Sequence, residues 1–166
     1  MNIKPEQVDG IVKSLPPAIR GVVIYGSNEG MISSLAQQFI KAVSPDVYDA
    51  FHVSYLDMAD VTADISVLYA EFNAQSLMGG RRVVVIKDAS NLLTKNLKEM
   101  LAESSSDSLL VITSSSLKTK DSLALLAKDN NAFYGIGCYD DRDEDITSFV
   151  SKFISKQGLK ADNMTL

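Results

Sequence analysis

The sequence has little of what redox, metal and membrane proteins depend on. It holds one cysteine, Cys138, and one histidine, His52. A lone cysteine forms no internal disulfide, so a reducing, cytoplasmic setting is expected. Cys138 lies in an apolar run with no base in view to activate it, and reads as a small buried apolar residue. His52 has no cysteine or second histidine nearby, so it reads as structural or surface rather than as a metal ligand. No apolar run approaches the roughly 20 residues that span a bilayer, and Met1–Pro5 opens no signal-peptide pattern. Nor is there a basic excess. Sixteen Lys and Arg face 21 Asp and Glu, a net charge of −5, and the pI is near 4.8. Tight, unassisted nucleic-acid binding is therefore not expected, because neutralising phosphates takes clustered basic side chains.

What is present is a globular composition. Of 166 residues, 46% are hydrophobic and 22% charged, a balance that opposes wholesale disorder. The length suits one domain and falls short of two comfortable ones.

Five apolar runs alternate with helical patterns. Strands are predicted at Gly21–Tyr25, Phe51–Leu56, Arg82–Lys87, Ser108–Thr113 and Ala132–Cys138. Their consecutive apolar residues suit strands buried on both faces, as in a mostly parallel sheet sandwiched by helices. Between them the period becomes helical. Ile32, Leu35, Ala36, Phe39, Ile40 and Val43 form one stripe, and Val61, Ile65, Leu68, Tyr69 and Phe72 form another. Leu93, Leu97, Met100 and Leu101 make a third, and a weaker helix covers about Lys120–Lys128. A leading helix is expected over about Pro5–Leu15, stopped by Pro16-Pro17. The strand–helix alternation predicts an α/β domain with right-handed crossovers.

After the fifth strand the character changes. Asp140-Asp141-Arg142-Asp143-Glu144-Asp145 is a dense charge run, then Ile146, Phe149, Val150, Phe153 and Ile154 recur at helical spacing. The run reads as a solvated loop leading into a helix N-terminus. It lacks the glycine and glutamate that a calcium loop places at its sixth and twelfth positions. A boundary is expected here, with residues 1–139 as the α/β domain and 140–166 as the start of another module.

The first loop resembles a phosphate site in position only. After Val23-Ile24-Tyr25 comes Gly26-Ser27-Asn28-Glu29-Gly30-Met31, then a helix. The nucleotide-binding pattern G-x-x-x-x-G-K-[ST] needs backbone N–H groups around phosphate, a Lys for the outer phosphates and a hydroxyl for magnesium. Counting from Gly26, those positions hold Met31, Ile32 and Ser33, so only the hydroxyl survives. After the third strand, Lys87-Asp88 stands where an acidic pair would hold the metal. Degenerate Walker motifs predict no bound cofactor, no metal and no catalysis by this domain.

Taken together, the residues resemble the DNA polymerase III delta subunit family, the clamp-opening member of the bacterial clamp loader. The first signal is Tyr25-Gly26-Ser27-Asn28-Glu29-Gly30-Met31 before a long amphipathic helix. The second is Ser76-Leu77-Met78-Gly79-Gly80-Arg81-Arg82 before the apolar strand Val83-Val84-Val85. The resemblance runs from Gly21 onward and implies a P-loop, AAA+-like fold that has lost ATP binding. It also implies binding and opening of the beta sliding clamp, with ATP-binding partner subunits supplying the energy. The replicative holoenzyme is a DNA-directed DNA polymerase, whereas this domain itself is expected to be non-catalytic. In this family an adjacent Leu and Phe ahead of the third strand enter a pocket on the clamp. The matching residues are Leu77 and Met78, flanked by Ser76, Gly79 and Arg81, with Met replacing Phe. Met is long, apolar and adaptable enough for that role. By the residues alone, two apolar side chains on a turn beside Gly79-Gly80 are either tucked into the core or offered to a partner, and it is the resemblance that implies the partner. Arg81-Arg82 either set the loop geometry or meet acidic groups on the clamp. The resemblance further implies that 140–166 is the first helix of a truncated lid domain. Other loader subunits would be met through a missing C-terminal region, and DNA only indirectly.

Other readings fit less well. A flavodoxin-like phosphoacceptor domain would need an acidic pair and a Lys where Gly26-Ser27 and Gly137-Cys138 stand. An active P-loop enzyme is opposed by Ile32. A generic α/β adaptor in another complex stays open at this level.

Overall fold

A computed structural model describes residues 1–140 of the chain. The expected lid helix and most of the charge run fall at 141–166, outside the described residues.

Five strands form one sheet: β1 (Gly21–Gly26), β2 (Val53–Asp57), β3 (Val83–Lys87), β4 (Leu109–Ser114) and β5 (Phe133–Cys138). Their order is β2-β3-β4-β1-β5 and every pairing is parallel. β1 is held on both sides, with Val22 opposite Val111 of β4 and Tyr134 of β5. Each strand therefore returns through a helix, as the alternating pattern requires.

The helices are α1 (Val8–Val12), α2 (Glu29–Val43), α3 (Met58–Ala63), α4 (Ser66–Asn73), α5 (Leu93–Glu103) and α6 (Ser122–Asp129). Strand side chains alternate between two cores, one on each face. Val22 and Ile24 join Val8 and the α2 stripe of Ile32, Leu35, Phe39 and Ile40. Val23 and Tyr25 join Val61, Leu68, Phe72, Leu97, Met100 and Leu123 on the opposite face. A buried strand face on each side explains the unbroken apolar runs of β1, β3 and β4.

Three sequence expectations shift in the structure. The helix read continuously through Val61 and Phe72 is two, because Asp64 breaks it in an extended conformation (φ −147°, ψ 101°). Its carboxylate accepts the Ser66 backbone N–H at 3.0 Å and the Ser66 hydroxyl at 2.6 Å, a local bond that competes with helix continuation. The leading helix is a 3₁₀ turn at Pro5–Gln7 running into five-residue α1. Gly10 weakens it from within, and the residue ahead of a proline is pushed out of helical geometry. The second strand begins at Val53 rather than Phe51, and beyond buried Val53 its residues are half-buried or exposed.

Candidate functional site

In a parallel sheet, residues just before each strand gather at one edge and residues just after each strand at the other. The degenerate phosphate loop lies at the carboxyl edge. The segment from Ala74 to Arg82, ahead of β3, lies at the amino edge.

At the carboxyl edge only Ser27 and Asn28 separate β1 from α2. The Asn28 side chain accepts the Met31 backbone N–H at 3.0 Å and so caps the helix itself. Ile32, in the lysine position of the nucleotide motif, is buried in the core. Glu29 and Asp88 place carboxylates in an open cleft of about 490 Å³ above the strands. Lys87 lies over the Tyr55 ring, 5.5 Å from its centroid. Ser114 to Ser116 form a local turn in which the Ser116 N–H donates to Ser114 Oγ at 3.3 Å.

At the amino edge, Ser76-Leu77-Met78-Gly79 is a β-turn closed by the Gly79 N–H donating to Ser76 O at 3.1 Å. Ser76 Oγ also accepts the Met78 N–H at 3.2 Å. Leu77 and Met78 occupy the two central positions and are 91% and 72% exposed. They are not core residues. Gly79 and Gly80 follow at φ +74° and +87°, a left-handed region that side chains with a Cβ resist. Two such residues in succession swing the chain from the turn into β3.

The turn is held from behind. Arg81, which the sequence places beside the anchor pair, turns its guanidinium inward, with Nε donating to Asp107 O at 2.6 Å and a second N–H donating to Ile19 O. Arg82 is buried and pairs with Glu71 of α4 at 3.1 Å. The Ser54 hydroxyl donates to the same carboxylate oxygen at 2.7 Å. That bond first, and Arg82 second, holds the Glu71 carboxyl below its ordinary range. Both guanidiniums are therefore engaged by the chain's own groups.

The structure thus brings Ser76, Leu77, Met78 and Gly79 onto one turn and takes the Arg81 side chain away from its tip. Sequence reasoning missed two supports. His52 Nε2 lies 2.8 Å from Gly79 O, while Nδ1 lies 2.7 Å from Asp49 Oδ2. Arg20 donates to Ser106 O, Leu101 O and Ser104 O at 3.0, 3.1 and 2.8 Å and stacks over Phe72 at 5.4 Å. It ties the end of α5 beneath the sheet. The only signals were a histidine and an arginine beside strand starts, which pattern alone does not separate from solvated residues. Cys138 is fully buried, and burial pushes its thiol up to about 11. Among the described residues no group of three or more His, Cys, Asp or Glu could hold a metal ion, and no helix is long and apolar enough to cross a membrane.

Comparison with solved structures places this architecture. The Bacillus subtilis DNA clamp loader delta protein superposes with a TM-score of 0.68 at 15% identity, over 92% of this chain and 48% of that one. A DNA polymerase III gamma subunit-related protein of Thermotoga maritima superposes with a TM-score of 0.52 at 11% identity, over 92% and 52%. The chain spans about half the length of each. These likenesses establish the AAA+-like fold. No curated protein matches the chain by sequence. Residues 23–133 match the family model described as DNA polymerase III, delta subunit, and on that match the chain belongs to the DNA polymerase III delta subunit family.

Proposed function

We propose that this domain binds a bacterial beta sliding clamp through Leu77 and Met78 and helps to hold its ring open during clamp loading. The observation that carries the reading is the exposure of two large apolar side chains, 91% and 72%, on a turn braced from behind. Exposed apolar residues gain burial of roughly 1.5–3 kcal/mol each on binding, against about 0.5–1.5 kcal/mol to order each side chain. Such a pair has the makings of a hot spot. Ser76, Gly79 and Arg81 act by shaping the turn. Met78 takes the place of an aromatic anchor with a longer, more adaptable side chain.

The domain contributes no ATP hydrolysis of its own in this reading. The buried Ile32, the self-capped helix and the Glu29 carboxylate support that part. Partner subunits of the loader supply the nucleotide chemistry. DNA is reached only through the assembled complex, in the cytoplasm. Titrating the chain against a purified bacterial sliding clamp tests the proposal. A stoichiometric complex is expected, with no heat or fluorescence change on adding Mg-ATP to the chain alone. Absence of any complex, or micromolar ATP binding, overturns it.

A further inference from the structure

His52 lies between the start of the edge strand β2 and the anchor turn. It precedes β2, and its ring is 22% exposed, against 29% for Asp49. Nδ1 faces the Asp49 carboxylate at 2.7 Å and Nε2 faces the Gly79 carbonyl at 2.8 Å. Ser76 Oγ lies 3.4 Å from the same Nε2. Gly80 passes so close that a Cβ built there would sit 3.7 Å from Nε2.

Both principal partners are acceptors. A carboxylate has no proton to give, and neither has a backbone carbonyl. A neutral imidazole carries one N–H and satisfies one of the two. Only the imidazolium, with a proton on each nitrogen, donates to both at once. Gly79 O belongs to the residue that closes the Leu77–Met78 turn, so the second bond fixes the turn itself.

We propose that His52, oriented by Asp49, is the positioning residue for the Leu77–Met78 turn and that its doubly protonated ring holds the turn in its partner-binding geometry. The inference rests on the clamp-binding reading of that turn.

The charges around the ring support it. The Asp49 hydrogen bond raises the affinity of His52 for its proton above the ordinary value and the Gly79 carbonyl adds to this, while desolvation and, less, Arg82 oppose it. The same bond to His52 draws the Asp49 carboxyl below its ordinary range. Glu71 is engaged by Arg82 and Ser54. A histidine bound more tightly to its proton in the folded state contributes fully at low pH. That contribution is lost as the pH rises through the folded value. The Asp49 side of the bridge fails only when the pH falls through the depressed carboxylate value. The clasp is therefore complete between those two limits and opens on the alkaline side.

The test follows the whole chain by NMR from about pH 5.5 to 9, the range in which a histidine titrates, and measures sliding-clamp affinity over the same range. The His52 ring and the Gly79 and Gly80 amides are expected to titrate with one midpoint, and Asp49→Asn lowers that midpoint. Clamp affinity falls about two- to fivefold through it, the range of a partly exposed ion pair. His52→Gln has a flat pH profile, and Asp49→Asn moves the profile with its own midpoint. Glycine amides that ignore the His52 titration overturn the proposal, as does an unchanged pH profile in His52→Gln. If His52→Gln does not fold, the Asp49→Asn midpoint carries the decision. A wild-type chain that binds no clamp at any pH defeats the functional reading, and co-titration of His52 with Gly79 still decides whether the clasp exists.

Discussion

Replacing both Leu77 and Met78 with alanine separates a partner-binding turn from a mispacked piece of core. Each substitution removes three heavy atoms, worth about 0.8 kcal/mol per methylene-sized group on full burial. Scaled by the 91% and 72% of surface still available in the free chain, the pair offers roughly 4 kcal/mol of gross burial. Ordering two flexible side chains takes back about 0.5–1.5 kcal/mol apiece. About 2 kcal/mol remains, or roughly a thirtyfold loss of affinity. Stability should hardly change, because surface substitutions without special contacts stay within about 0.5 kcal/mol. Isothermal titration against the sliding clamp reads the first quantity and urea denaturation the second. An affinity loss below about threefold, less than 1 kcal/mol, refutes the anchor role. A loss of stability as large as the loss of affinity refutes the exposed geometry.

Other perturbations probe the supports. Arg20→Ala removes three charge-assisted bonds to carbonyls at the end of α5 and the contact with Phe72. It should cost about 3 kcal/mol in urea denaturation. Gly79→Ala meets no atom within 4 Å, so only its φ of +74° resists. A loss of about 1 kcal/mol of stability is expected, with weaker clamp binding from a re-aimed turn. The Cys138 thiol, pushed up to about 11 by burial, stays protonated at pH 8. It should react with a thiol reagent only at the rate of unfolding, and fast labelling of the native chain would contradict its burial.

The sequence by itself determined the elements and their order. Runs such as Val83-Val84-Val85-Ile86 are too apolar for anything but a doubly covered strand, and helical periods between them leave α/β crossovers as the solution. The missing lysine at Ile32 was equally legible, because the nucleotide pattern is local in the chain. The edge character of β2 was hidden, since strand order depends on which crossover lands where. So was the break at Asp64, where one side-chain bond to Ser66 competes with a continuing apolar stripe.

The anchor turn divides along the same line. Leu77 and Met78 beside Gly79-Gly80 mark a turn from sequence, but core and partner-facing roles are indistinguishable there. Only the tertiary structure exposes the pair, because exposure depends on what packs behind. What packs behind are residues 52, 19 and 107, brought to one edge by strand order. The lone histidine shows this most clearly. In the sequence it has no partner within reach of a motif, and in the fold it lies between a carboxylate three residues back and a carbonyl 27 residues on. Local periodicity follows from backbone geometry and is written in neighbouring residues. A bond across the sheet edge is not, because it depends on distances that exist only after the chain has closed on itself.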